Sequence, residues 1–156
     1  MKEQVFLRKL HGEGKLKLVE PSDEISKAYL QKSSKSLTSS KALIKIGNLE
    51  DSIALSYYSM YHCLTALIFK AGIKCENHTA AIIMLKDIFN IDNHTLLKAK
   101  SERIDKQYYV GFSISENEAK EAIKLAEEFI AKMNDFVDKI SRQDIQNFRV
   151  KLKGFF

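Results

Sequence analysis

Two short blocks hold most of the side chains able to do chemistry. The first is Ser56-Tyr57-Tyr58-Ser59-Met60-Tyr61-His62, inside an apolar stretch from Ile53 to Ile73. On a 3.6-residue period Tyr57, Tyr61, Leu64 and Ile68 share one face, while Tyr58, His62, Ala66 and Phe69 line the adjacent one. A helix apolar nearly all round that still carries phenols and an imidazole has to pair those groups inside the fold or set them at a cleft. The second block is Glu102-Arg103-Ile104-Asp105-Lys106-Gln107-Tyr108-Tyr109. There Arg103, Lys106 and Gln107 fall on one side of a helix, with Tyr108 five positions after the arginine.

Two chemistries suit the second block. Arg103 can clamp a phosphate or a developing oxyanion with its planar fork, and a neighbouring tyrosine can exchange a proton or take a modification. Equally, Arg103 can pair with a carboxylate of a neighbouring helix while the tyrosines plug the end of a bundle. Arginine stands out here because only four of the 25 basic residues are arginine: Arg8, Arg103, Arg142 and Arg149. His62 has a structural reading as a hydrogen-bonded core histidine, and His78 as a helix-cap or surface residue.

Other chemistries lack their residues. His11, His62, His78 and His94 sit in separate segments with no second ligand at helical spacing and no Glu-x-x-His, so no metal site is expected. Cys63 and Cys75 form neither a CxxC pair nor a disulfide framework. The six glycines make no phosphate-cradling loop, so no nucleotide cofactor motif is present and no cofactor is expected. The formal charge of +5 is a mild bias, compatible with RNA without requiring it. No uncharged apolar run approaches roughly 18 residues, and no leader with an apolar core opens the chain, so a soluble cytoplasmic protein with no membrane partner is expected.

The elements that position these blocks are helical. With 45% hydrophobic and 29% charged residues, one proline and no competing strand pattern, the chain reads as one all-α domain. Ser22 caps a helix over about 23–46, where Ser33, Ser36 and Ser40 allow close approach of a neighbour. Gly47-Asn48 ends that helix and caps the next, about 49–71. A short helix covers about 78–90. Asp92 or Asn93 caps a fourth over about 94–109, and a Ser115/Glu118 capping box opens a last long helix with an apolar seam from Ala119 to Ile140. The expected architecture is an antiparallel up-and-down bundle of four long helices plus a short helix. Residues 1–20 read as a basic arm, with Lys15 to Val19 either a short strand or a segment lying on the bundle. Residues 21–141 read as the bundle, and 142–156 as a basic tail that extends the last helix or docks on a partner.

The order of these blocks resembles the HEPN family of small prokaryotic helical bundles. The resemblance rests on Asp51-Ser52 with Ser56-Tyr57-Tyr58-Ser59-Met60-Tyr61-His62, then Asn77-His78-Thr79-Ala80-Ala81-Ile82, then Arg103-Ile-Asp-Lys-Gln-Tyr108-Tyr109, then the capped helix from Ser115. It spans 21–140. Many HEPN proteins are metal-independent ribonucleases, often toxins, that act as homodimers with a paired Arg-x(4–6)-His motif at the subunit interface. Others partner a minimal nucleotidyltransferase, and some receive AMP from it on a tyrosine just after that motif. Arg103 matches the arginine, but Tyr108, Tyr109 and Val110 stand where the histidine belongs. A phenol, with an unperturbed pKa near 10, makes a poor general base at neutral pH.

The resemblance therefore implies three alternatives. The first is a homodimer that binds nucleotide or nucleic acid through Arg103 and Tyr108, partners a minimal nucleotidyltransferase in a toxin–antitoxin-type system, and offers Tyr108 or Tyr109 for modification. The second is a non-catalytic helical interaction module. The third is a ribonuclease with a degenerate motif, its histidine supplied spatially by His78 or His62. Gln107 and Tyr58 complete the candidate residues.

Overall fold

The computed structural model describes residues 2–108 and 113–156, with the side chains of 105–108 outside that description. In chain order the described residues form α1 (Lys2–Gly12), β1 (Leu16–Leu18), α2 (Asp23–Lys45), α3 (Leu49–Lys70), β2 (Ile73–Cys75), α4 (His78–Asp87), α5 (His94–Tyr108), α6 (Glu116–Lys139) and α7 (Arg142–Lys153). The all-α bundle is as expected: α2, α3, α5 and α6 are the four long helices and α4 the short one. The leader and the tail add α1 and α7.

Helix α3 is the centre. Tyr57, Met60, Cys63, Leu64, Ala66 and Leu67 are at most 1% exposed, so this helix is covered on nearly every side. Its neighbours are α2, α4, α5 and α6. Against α2 the contact is made by small polar residues. Ser40 donates to the Ser52 carbonyl at 2.6 Å while Ser52 donates back to the Ser40 carbonyl at 2.8 Å. One helical stretch further, Ser33 donates to the Ser59 carbonyl at 2.7 Å and lies 3.1 Å from Cys63 Sγ. Ser26, Ser33 and Ser40 are all buried and recur every seven residues, and at Ser33 and Ser40 the two backbones come close enough for side chain to reach backbone.

Capping follows the sequence at the serines, while of the expected Ser115/Glu118 box only the serine half is seen and Asn48 departs from its expected role. The hydroxyls of Ser22 and Ser115 accept from the amides of Ile25 and Glu118. Asp92 accepts from the His94 amide, leaving Asn93 to turn inward and donate to the Ile82 carbonyl at 2.9 Å. Asn48 occupies the N-cap position of α3, but its side chain makes no capping bond. Helix α4 ends at Asp87, earlier than its apolar pattern suggests, and Asn90 with φ of 56° turns the chain toward α5.

The leader and the tail are packed parts of the core. Leu7 and Leu16 are fully buried and Leu10 nearly so. Burying two leucines stabilises by about 3–6 kcal/mol, enough to hold an 11-residue helix that would be marginal alone. Of the two readings of 15–19, the strand holds: β1 pairs antiparallel with β2, Lys17 opposite Lys74. The tail does not continue α6. Ile140 is extended, and Ser141 with Asp144 forms a full capping box that starts α7 afresh. Helix α7 then docks on its own chain through buried Leu152 and through Phe148, whose ring lies edge-on to Phe89 at 4.9 Å.

Arg149 locks this corner. Its Nη1 donates to the carbonyls of Gly72 at 2.6 Å and Val19 at 2.8 Å, joining α7 to the end of α3 and to the strand pair. Gly72 has φ of 72°, and a Cβ there would lie 2.6 Å from the Val19 carbonyl oxygen and collide with the Arg149 guanidinium. Gly47, at φ of 79°, faces open space. Gly47→Ala is expected to cost about 1 kcal/mol from the left-handed backbone alone, and Gly72→Ala about 2–4 kcal/mol because the clash adds to it. Urea midpoints of the two variants measure the difference; equal losses would mean that the corner is not tightly closed. By the same measurement, Ser40→Leu should lose about 1–3 kcal/mol through overpacking, and the less enclosed Ser36→Leu much less.

Candidate functional site

Three elements converge where α3, α4 and α5 meet. Helix α3 supplies Tyr57, Tyr58, Tyr61 and His62 from one and a half turns, so their rings fan over two adjoining faces. Helix α4 begins at His78 because Asn77 accepts from the Ala80 amide at 2.9 Å, which fixes His78 and Thr79 in the first turn. Helix α5 brings Lys100 and Arg103, three positions apart and so on one face.

His78 is the hub. Its Nδ1 shares a 2.9 Å hydrogen bond with the Tyr57 hydroxyl, and its ring stacks on Tyr61 with centroids 3.8 Å apart. Tyr58 meets it edge-on at 6.5 Å. The Arg103 guanidinium lies over the rings of Tyr57 and Tyr58, 5.2 and 5.4 Å from their centroids, and its Nη1 donates to the Tyr58 hydroxyl at 3.2 Å. Lys100 donates to the Thr79 hydroxyl at 2.6 Å. Phenyl faces are negative at the centre, so this stacking holds the guanidinium in place.

The electrostatics follow from burial and from like charges. Burial, then the charges of Lys100, Arg103 and His62, hold the His78 pKa below the ordinary imidazole value. Burial and Arg103 lower that of Lys100. Burial is also the main reason why Tyr57 is pushed up to about 12, with Arg103 opposing it, and why Tyr61 rises further. The phenols of Tyr57 and Tyr61 are therefore neutral at physiological pH, and His78 is mostly neutral imidazole. Cys63 is pushed up to about 11 and Cys75 is also raised, so both remain thiols and neither is poised as a nucleophile.

Of the residues singled out from the sequence, Arg103, Tyr58 and His78 come together, with Tyr57 and Tyr61 between them. His62 lies beside the group, its ring 6.3 Å from Tyr58 and 6.0 Å from Tyr29, yet its buried Nδ1 finds no hydrogen-bond partner among the described residues. Burial and Lys32 lower its pKa. Gln107 and Tyr108 belong to the last turn of α5, with side chains outside the described residues, and Tyr109 lies outside them altogether. Lys100 escaped the sequence reading, and Thr79 entered it only as part of the Asn77-His78-Thr79 block and not as a site residue. Lys100 is one turn before Arg103, and that spacing was the available signal.

Among the described residues no group of three or more histidine, cysteine or acidic side chains gathers as a metal site, and no helix is long and apolar enough to cross a membrane. What the arrangement can do is present cations and hydrogen-bond donors together on an aromatic support.

A helical bundle with this ordered set of tyrosine, Asn-His-Thr and arginine blocks defines a class, and comparison with known families agrees. The HEPN domain model matches residues 26–136, and the chain belongs to that family. Among curated proteins it is similar to the UPF0332 protein PH1297 of Pyrococcus horikoshii, 36% identical over 62 residues, which is 40% of this chain and 43% of that protein. The aligned segment thus spans under half of the relative's length.

Lowered imidazole values have a consequence for stability. In the unfolded chain histidine titrates near 6.5. His62 and His78 titrate lower in the fold, so the stability they carry is fully present above about pH 6.5 and is lost as pH falls through their folded values. Urea midpoints should drop between pH 7 and pH 5, and His62→Gln with His78→Gln should flatten that drop. An unchanged slope in the double variant would show that neither imidazole is desolvated.

Proposed function

We propose that this chain is a cytoplasmic HEPN protein that binds nucleotide or nucleic acid as a homodimer and works with a minimal nucleotidyltransferase in a toxin–antitoxin-type pair. The observation that carries the binding part is the convergence of Lys100, Arg103 and His78. Each of the two titratable members is held less basic by burial first and by cationic neighbours second, and a phosphate placed among them offsets the neighbouring charge while accepting charge-assisted hydrogen bonds. Tyr58 beneath the guanidinium presents a ring edge and a hydroxyl to whatever the phosphate carries. Tyr108 and Tyr109, at and just beyond the end of α5, are the candidate acceptors of a nucleotide from the partner enzyme.

A second reading has an observation of its own. His78 reaches the Arg103 cluster through Tyr57, supplying from another helix the imidazole that the spacing after Arg103 lacks. A neutral imidazole beside a guanidinium is the equipment for metal-independent cleavage of RNA, the imidazole taking the ribose 2′-hydroxyl proton and the guanidinium holding the phosphate.

Fluorescence anisotropy with a labelled dinucleotide tests the first reading. Arg103→Ala should weaken binding roughly tenfold or more, the loss of one or two charge-assisted hydrogen bonds, and binding by the native protein should weaken with salt. Equal affinity in native and Arg103→Ala forms would remove the cluster as the site. Incubation with RNA in chelator separates the second reading: cleavage that disappears in both Arg103→Ala and His78→Gln supports it, and intact RNA with the native protein ends it.

A further inference from the structure

The serine ladder between α2 and α3 stops one rung short. Ser40 and Ser33 donate to the carbonyls of Ser52 and Ser59, so the next rung, seven residues along each helix, would set Ser26 on the carbonyl of Ala66. That bond does not form. Ser26 is 2% exposed, yet its Oγ finds no hydrogen-bond partner among the described residues. Beside it lies a cavity of about 140 Å³, lined from the start of α2 and the ends of α3 and α6. A single bridging water would satisfy the hydroxyl and leave most of that volume unused, whereas a cavity of about 150 Å³ takes a molecule the size of benzene. The cavity shares no residue with the Arg103 cluster. Lys70, at its α3 wall, follows Tyr58 by twelve residues, about 18 Å along the helix.

The charges around this cavity are balanced. Asp23 and Asp138 bring carboxylates, Lys27 and Lys70 bring ammoniums, and Leu30 and Val137 add apolar surface. Lys70 donates to the Val137 carbonyl at 2.6 Å, which uses one of its three protons. A ligand of net charge meets repulsion from one pair as it meets attraction from the other, and the two lysines disfavour a metal ion. A zwitterion turns both pairs to advantage. The geometry points to a binding site for a small zwitterion with an ammonium and a carboxylate, the size of a free α-amino acid such as alanine or serine. Its carboxylate accepts from the Ser26 hydroxyl and from Lys70, completing the open rung. Its ammonium donates to Asp23 and Asp138, both exposed at the mouth, and its side chain lies on Leu30 and Val137.

Amide-resolved NMR titrations of the full chain with glycine, L-alanine and L-serine, and with acetate and methylammonium as half-ligands, test the site. At least one amino acid should shift the amide signals of Ser26, Lys70 and Val137 saturably, and each half-ligand should bind about tenfold or more weakly. Ser26→Ala should weaken the amino acid about tenfold, and the exposed Asp138→Asn about threefold. Because the Ser26 hydroxyl has no partner to lose in the free protein, Ser26→Ala should hold or raise the urea midpoint, while Ser33→Ala lowers it. A midpoint lowered as far by Ser26→Ala as by Ser33→Ala makes the hydroxyl a structural donor and overturns the open rung. Acetate or methylammonium binding as tightly as the amino acids overturns the zwitterion. Shifts that never saturate, or none at these residues, reduce the cavity to a pocket of solvent and overturn the site.

Discussion

Helix α3 has to be enclosed on nearly every side, and most of its polar groups find partners inside that enclosure. Everything else in the fold follows from these two demands. A helix of ordinary amphipathic pattern needs one neighbour; this one needs α2, α4, α5 and α6. Where it meets α2 the solution is reciprocal serine bonding. Ser40 and Ser52 each donate to the other's carbonyl, so neither hydroxyl is left buried and unpaired, which would cost about 1–3 kcal/mol each. Where it meets α4 and α5 the solution is different: phenols answer an imidazole and a guanidinium.

That second solution makes the site a product of core packing. Tyr57 is fully buried and belongs to the core as much as to the cluster, yet its hydroxyl sets the position of His78. The guanidinium of Arg103 is held over rings that are themselves fixed by α3, so it keeps little freedom of its own. Lys100 and His78 are both made less basic by burial and by the guanidinium of Arg103. In a protein with as many surface lysines as this one, that convergence distinguishes a place from a mere excess of charge.

The extent to which the site was legible varied by residue. The tyrosine block and Arg103 could be read as candidates because their types are unusual for their surroundings, and spacing placed each on a helix. Lys100 went unread because one lysine among many carries no signal until α5 is turned toward Thr79. His78 was read as a helix-cap or surface residue, but Asn77 is the cap and His78 stands half-buried in the first turn; its place beside Arg103 depends on a long-range docking that no local period encodes. The tail misled for a local reason. Its apolar spacing resembles a continuation of α6, and the Ser141/Asp144 capping box, a competing start signal, interrupts it.

The order of residues by itself determined that the chain is helical, where most helices begin, and which one is central, since periodicity and capping act within a turn or two of each residue. It also determined family membership, because motif order survives when geometry is unknown. Only the tertiary structure decided that Ser33 and Ser40 bond to α3, that the leader and the tail complete the core, and that His78, Arg103 and Lys100 share one face. Those pairings span tens of residues along the chain, and they arise because buried surface and buried polar groups must be matched together, a requirement that only the folded whole can meet.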